Sequence, residues 1–191
     1  MKYLALSLFL FLFGCAATVP MVGGPGQHEE QLMLTDSGYR FHWPSFPITV
    51  SVHGDARIDY RHQVARAIEF WNEAANREIL RLVDSGGNIQ VIESSFFPYT
   101  GSRILGLTSV VSTHQGKIVY CVVRLDTYIP ASFQVHVIEH ELGHALGLDH
   151  DQDQPRSLMF PYTWDPTMQH LTDEDRQVIR FQLWHAPNID P

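Results

Sequence analysis

Apolar and polar positions along this 191-residue chain fall into segments with different periods. After Lys2, an apolar run extends from Tyr3 to Phe13. A membrane-spanning helix needs about 20 residues, so the run is too short to be one. It reads as the core of a secretory signal and is left out of the fold. Residues 16 to 38 mix Gly, Pro and polar residues without a period and read as a tether. "FPITVSVHG" (46–54) sets Ile48, Val50 and Val52 against Thr49 and Ser51, the alternation of a strand. From Asp59 to Arg81, Val64, Ala67, Ile68, Trp71, Ala74 and Ala75 recur at helical spacing and predict an amphipathic helix.

"NIQVIES" (88–94), "SRILGLTSVVS" (102–112) and "GKIVYCVVRLDT" (116–127) predict three more strands, the last two joined by the turn "THQG". A second helix opens at Pro130 with Ser132 as its N-cap, and Gly147 closes it. A third is predicted in "LTDEDRQVIRFQLW", where Thr172 and Asp175 have capping-box spacing and Val178, Ile179, Phe181 and Leu183 form an apolar face. There is no internal repeat. The pattern predicts an α+β fold with one domain over 45–191, preceded by a signal segment (1–14) and a tether (15–44).

Composition narrows the function classes. With 45% hydrophobic and 18% charged residues the chain is globular in type. Lys and Arg total 13 against 21 Asp and Glu, and no basic patch points to nucleic acid. "LFGC" places Gly14 directly before Cys15. It resembles the lipobox of bacterial lipoproteins, which implies cleavage after Gly14, acylation of Cys15 and, with Ala16 next, delivery to an outer membrane. An ordinary secretory signal cut near Ala16–Ala17 is the other reading. Both place the protein outside the cytoplasm. With Cys15 acylated, Cys121 has no disulfide partner and is expected to be a small buried hydrophobe.

The chemistry concentrates in "HELGHALGLDHD" (140–151). His140 and His144 are four apart, so both lie on one helix face and can meet one ion. Glu141 flanks them, placed to reach a water rather than to complete the coordination. Gly147 allows the chain to turn so that His150 returns as a third ligand. Three imidazoles leave a coordination position open, which marks a catalytic zinc site rather than a structural one. His136 extends the stripe, but eight residues of helix rise about 12 Å, too far for one ion. It is expected to be exposed or to support a ligand. Asp149 and Asp151 read as loop hydrogen-bonders, His114 and His170 as solvated, and Trp71 as core.

The string HExxHxxGxxH, with Met159 following in "SLMFPY", is the metzincin signature. "HELGHALGLDH" with "SLMFP" resembles the matrixins, the matrix-metalloproteinase branch, and specifically their compact bacterial relatives. "AIEFWNEA" is similar to the family's long first helix, "ILGLTSV" and "KIVYCVVRLD" to its substrate-binding edge strand and that strand's neighbour, and "LTDEDRQVIRFQLW" to its closing helix. The resemblance implies a twisted mixed sheet, a long first helix, an active-site helix, a C-terminal helix and a zinc cleft between two subdomains. It also implies a zinc endopeptidase with one catalytic Zn2+, Glu141 as general base, and Met159 as an apolar floor. Pro161 and Tyr162 would wall a specificity pocket, and substrate would lie along the strand containing Leu105 and Gly106. Asp151 departs toward the adamalysin branch. No "PRCGxPD"-like switch or matrixin calcium and second-zinc loop is recognisable. The implied partners are a protein or peptide substrate and a membrane, with the chain as a monomer. A non-catalytic zinc-fold binding protein and a hydrolase of non-peptide amides in the cell wall are the competing readings. Glu141 argues against the first, since a binder needs no base.

Overall fold

The structure, a computed structural model, describes residues 9–17 (backbone only), 32–53, 60–95 and 103–162, with 167, 169–173, 175, 176, 179 and 180. The strands are β1 (Phe9–Ala17), β2 (Ile48–His53), β3 (Leu80–Val83), β4 (Ile89–Ser94), β5 (Arg103–Ser112) and β6 (Ile118–Asp126). The helices are α1 (Arg61–Ala75) and α2 (Gln134–Ala145). The predicted α+β class is the observed one. One sheet runs β1-β5-β6-β4-β2-β3. It is mixed, with β3, β2, β4 and β6 mutually parallel in that order and β5 antiparallel to both β6 and β1. The helices pack against one another, α1 against β3 and α2 against β5 and β6. Among the described residues no helix is long and apolar enough to cross a membrane.

Three expectations change. The first helix ends at Ala75 rather than Arg81. Asn76 turns left-handed at φ 54°, and the Asn72 side chain accepts from the amides of Ile79 and Leu80, redirecting the chain. The residues so released form β3, a strand missing from the prediction. Ser132 does not cap α2. A turn closed by Phe133 N–H on the Pro130 carbonyl delays the helix to Gln134, and no side chain caps it.

The tether is the third correction. Leu32, Met33, Phe41 and Trp43 are buried, so the folded body begins before residue 45. Met33 N–H donates to Gly147 O at 3.0 Å and the Trp43 indole to Ala145 O at 2.7 Å. This segment therefore braces the end of α2. Phe9–Ala17 lies antiparallel on β5, with Cys15 opposite Gly106.

The third predicted helix falls partly outside the described residues, including Val178, Phe181 and Leu183. Its capping box is present. Asp175 N–H donates to Thr172 Oγ1 at 3.1 Å, and Thr172 N–H to Asp175 Oδ2 at 2.8 Å.

Candidate metal centre

Helix α2 is buried on most sides, and Gln134, His136, His140, Glu141 and His144 are buried with it. His140 and His144 stack one turn apart. At Leu146 the helix stops, Leu148 N–H closes back on Gly143 O, and Gly147 takes φ 99°. A side chain there would be strained, so glycine supplies the turn that brings His150 back. The Nε2 atoms of His140 and His144 are 3.0 Å apart and those of His144 and His150 3.1 Å. Two ligands at 2.0–2.1 Å on a tetrahedral ion stand about 3.3 Å apart, close to this spacing. Among the described residues this trio is the one group of three or more side chains that could hold a metal ion.

The hydrogen bonds behind the rings test whether a cation fits. His140 Nδ1 lies 2.6 Å from Leu158 O, and His144 Nδ1 lies 2.8 Å from Leu148 O. A carbonyl only accepts, so each Nδ1 carries the proton. Both Nε2 atoms then present lone pairs to one another, which repel unless a cation lies between them. Burial lowers all three histidines, His140 well below its usual range and His144 to about 3. Neutral rings, two of them with tautomers fixed by a backbone carbonyl, are the donor set zinc takes. The residues fit the ion.

Glu141 is buried beside His140. Thr108 Oγ1, on β5, donates to its Oε2 at 2.6 Å, while Oε1 has no hydrogen-bond partner among the described residues. Burial pushes the carboxyl up to about 8. A nearby divalent cation opposes that shift. Gly106 is the neighbour that makes room, since a Cβ there would run into Glu141 Oε1. Leu105 beside it is buried.

Met159 is fully buried against α2. A Cβ on Gly143 would lie 2.5 Å from its sulfur and 3.1 Å from Trp71, so the first glycine of "HELGHALGLDH" allows this close approach. The turn carrying Met159 is held at several points. Asp151 N–H donates to Met159 O at 2.9 Å, and Met159 N–H donates to Ser157 Oγ at 2.9 Å. Ser157 Oγ in turn donates to Asp175 Oδ2 at 3.2 Å. Pro161 and Tyr162 follow, half-buried, with Tyr162 edge-on to Phe160.

Asp149 accepts from the His150 amide and Asp151 from those of Asp153 and Gln154, as loop hydrogen-bonders do. His114 and His170 are exposed, Trp71 is core, and Cys121 is a buried thiol whose pKa burial raises. His136, by contrast, is buried rather than exposed. Sequence reasoning missed Thr108, which nothing local marks. It also missed the second task of Asp175, whose capping-box spacing identified only the first.

Residues 129–184 match the matrixin family model. That span holds all three histidines, Glu141 and Met159. Beyond it, the chain is 28% identical over 144 residues to interstitial collagenase B of Mus musculus, a stretch covering 67% of this chain. The same stretch covers 29% of the mouse protein, so the chain spans less than a third of that relative's length. These similarities support a matrixin-like metalloprotease.

Proposed function

We propose that this chain is a zinc-dependent endopeptidase, exported from the cytoplasm and held to a membrane by acylated Cys15. The observation carrying the reading is the joint placement of three converging Nε2 atoms and a buried glutamate with one oxygen anchored by Thr108. A zinc ion held by His140, His144 and His150 would polarise the scissile carbonyl and acidify water. Glu141 takes the proton from the attacking water and passes it to the leaving amine. Thr108 fixes the carboxyl's orientation, and Gly106 lets it lie against β5. The collagenase relative contributes the reaction class, hydrolysis of peptide bonds in protein.

Substrate lies extended along β5, adding a strand through backbone hydrogen bonds. The antiparallel pairing of Phe9–Ala17 with β5 supports this, because that edge already accepts an extended chain. Cleavage after Gly14, as the lipobox resemblance implies, would remove most of β1 and leave β5 as the edge.

The test uses protein lacking residues 1–15, assayed on casein and a peptide library. Cleavage should stop with a chelator and return with zinc. Cleavage at the wild-type rate in Glu141→Gln would remove Glu141 from the reaction. Labelling with a palmitate analogue tests the anchor separately. Label should appear on the wild type and vanish in Cys15→Ser; label retained there would refute acylation at Cys15.

A further inference from the structure

His136 is a buried polar side chain that the hydrolytic reading leaves unused. It lies on α2 one turn before His140 and is 6% exposed. Its Nε2 is 2.9 Å from Oε1 of Gln169, a residue buried to the same degree. Gln169 Nε2 donates to the carbonyl of Tyr162 at 2.9 Å. Because the amide nitrogen donates, the amide oxygen accepts, and the ring nitrogen of His136 carries the proton. The relay runs one way, from His136 through Gln169 to Tyr162.

Both links cross between elements. Tyr162 and Gln169 are seven residues apart, and the amide holds these two points of the chain together. His136 then ties Gln169, and through it Tyr162, to the helix bearing His140 and His144. One turn along, His140 Nδ1 donates to Leu158 O at 2.6 Å. The segment from Leu158 to Tyr162 is thus strapped to α2 at two heights, once through a ligand and once through His136. A hydrophobic pair would fill the same space, but it would not fix a backbone carbonyl in one place. Fully satisfied buried polar networks specify a unique arrangement in a way apolar packing does not.

We propose that His136 and Gln169 are positioning residues that fix Tyr162 relative to the histidines and so set the pocket for the substrate side chain after the scissile bond. This rests on the peptidase reading. The experiment expresses the full chain, purifies the processed protein, and compares wild type with His136→Leu and Gln169→Met. A peptide library varied at the residue after the scissile bond gives the ranking of side chains, with KM and kcat for each. Either variant should flatten the ranking by about three- to tenfold, the effect of one lost hydrogen bond, with the change in KM exceeding that in kcat. Hydrogen exchange over residues 157–162 should speed up, zinc content should stay at wild-type stoichiometry, and His136→Gln, which keeps an N–H donor, should restore the ranking. The double variant should be no worse than either single one, because both cut the same chain. If wild type cleaves no peptide, the peptidase reading falls and the pocket with it. If wild type cleaves and both variants keep its ranking and exchange, the positioning role alone is overturned. Should His136→Leu fail to fold, Gln169→Met carries the same comparison.

Discussion

Helices α1 and α2 are of similar length and pack on one another, yet they treat burial differently. On α1 the buried residues are Val64, Ala67, Ile68, Trp71 and Ala74, all apolar. On α2 the buried set includes Gln134, His136, His140, Glu141 and His144 beside Val137, Ile138 and Leu142. Burying polar groups is unfavourable unless each finds a partner. Most of those on α2 find one in a loop or strand carbonyl, hydroxyl or amide: Leu158, Leu148, Thr108, Gln169. Beyond those bonds, the Nε2 atoms of His140 and His144 converge with that of His150 from the following turn, and one oxygen of Glu141 has no hydrogen-bond partner among the described residues. The first helix shows what stabilises the fold. The second shows where local stability is given up for a site.

Substitutions can break that contrast at different strengths. His144→Ala should have the largest effect on the site, abolishing stoichiometric zinc and all cleavage while leaving α1 packing intact; metal analysis and far-ultraviolet circular dichroism together check it. Glu141→Gln should lower kcat/KM by about 10²- to 10⁴-fold with zinc retained. Its mirror on α1 is Trp71→Ala, which should cost about 3–5 kcal/mol in denaturant unfolding, since Trp71 is fully buried and donates to Glu139 O at 2.9 Å. Gly143→Ala tests the contact between α2 and Met159. Overpacking there should cost about 1–3 kcal/mol, and activity should fall further than stability if the strain reaches His144, the next residue on the helix.

The smallest effect concerns pH at the start of α1. Tyr60 is buried, donates to Asp126 O at 3.0 Å, and burial pushes its pKa from 10.0 up to about 12. A pKa raised by folding means the unfolded chain loses its proton first. The stability from this group is therefore complete below about pH 10 and is lost as pH rises towards 12. Unfolding midpoints measured across that range should fall in wild type, and the fall should be shallower in Tyr60→Phe.

The contrast also explains how far the sequence could be read. Alternation exposed β2, β4, β5 and β6, and helical spacing exposed α1, because on these elements burial and hydrophobicity agree. The end of α1 was hidden because Ile79 continues the spacing from Ala75, while the left-handed Asn76 breaks the chain between them. β3 was hidden by its length of four residues. The histidine trio was legible because its geometry is local: one helical turn and one glycine fix it. Thr108, Gln169 and the brace at Met33 and Trp43 were not, since each joins α2 or the turn that follows it to residues far away in the sequence. Leu32, Met33, Phe41 and Trp43 follow no period, so only their burial distinguishes them from a linker.

That brace also sets an order of events. Trp43 and Ala145 are 102 residues apart, so the indole leaves the ribosome long before its acceptor exists. Closing so wide a loop costs entropy that only the finished contacts repay. The seat under Gly147, from which His150 is turned toward the other two histidines, is thus moulded only when the earliest-made part of the body meets one of the latest. Capture of an ion by the three histidines would thereby be coupled to completion of the fold, since a chain lacking either end of the brace has no finished site in which to hold one.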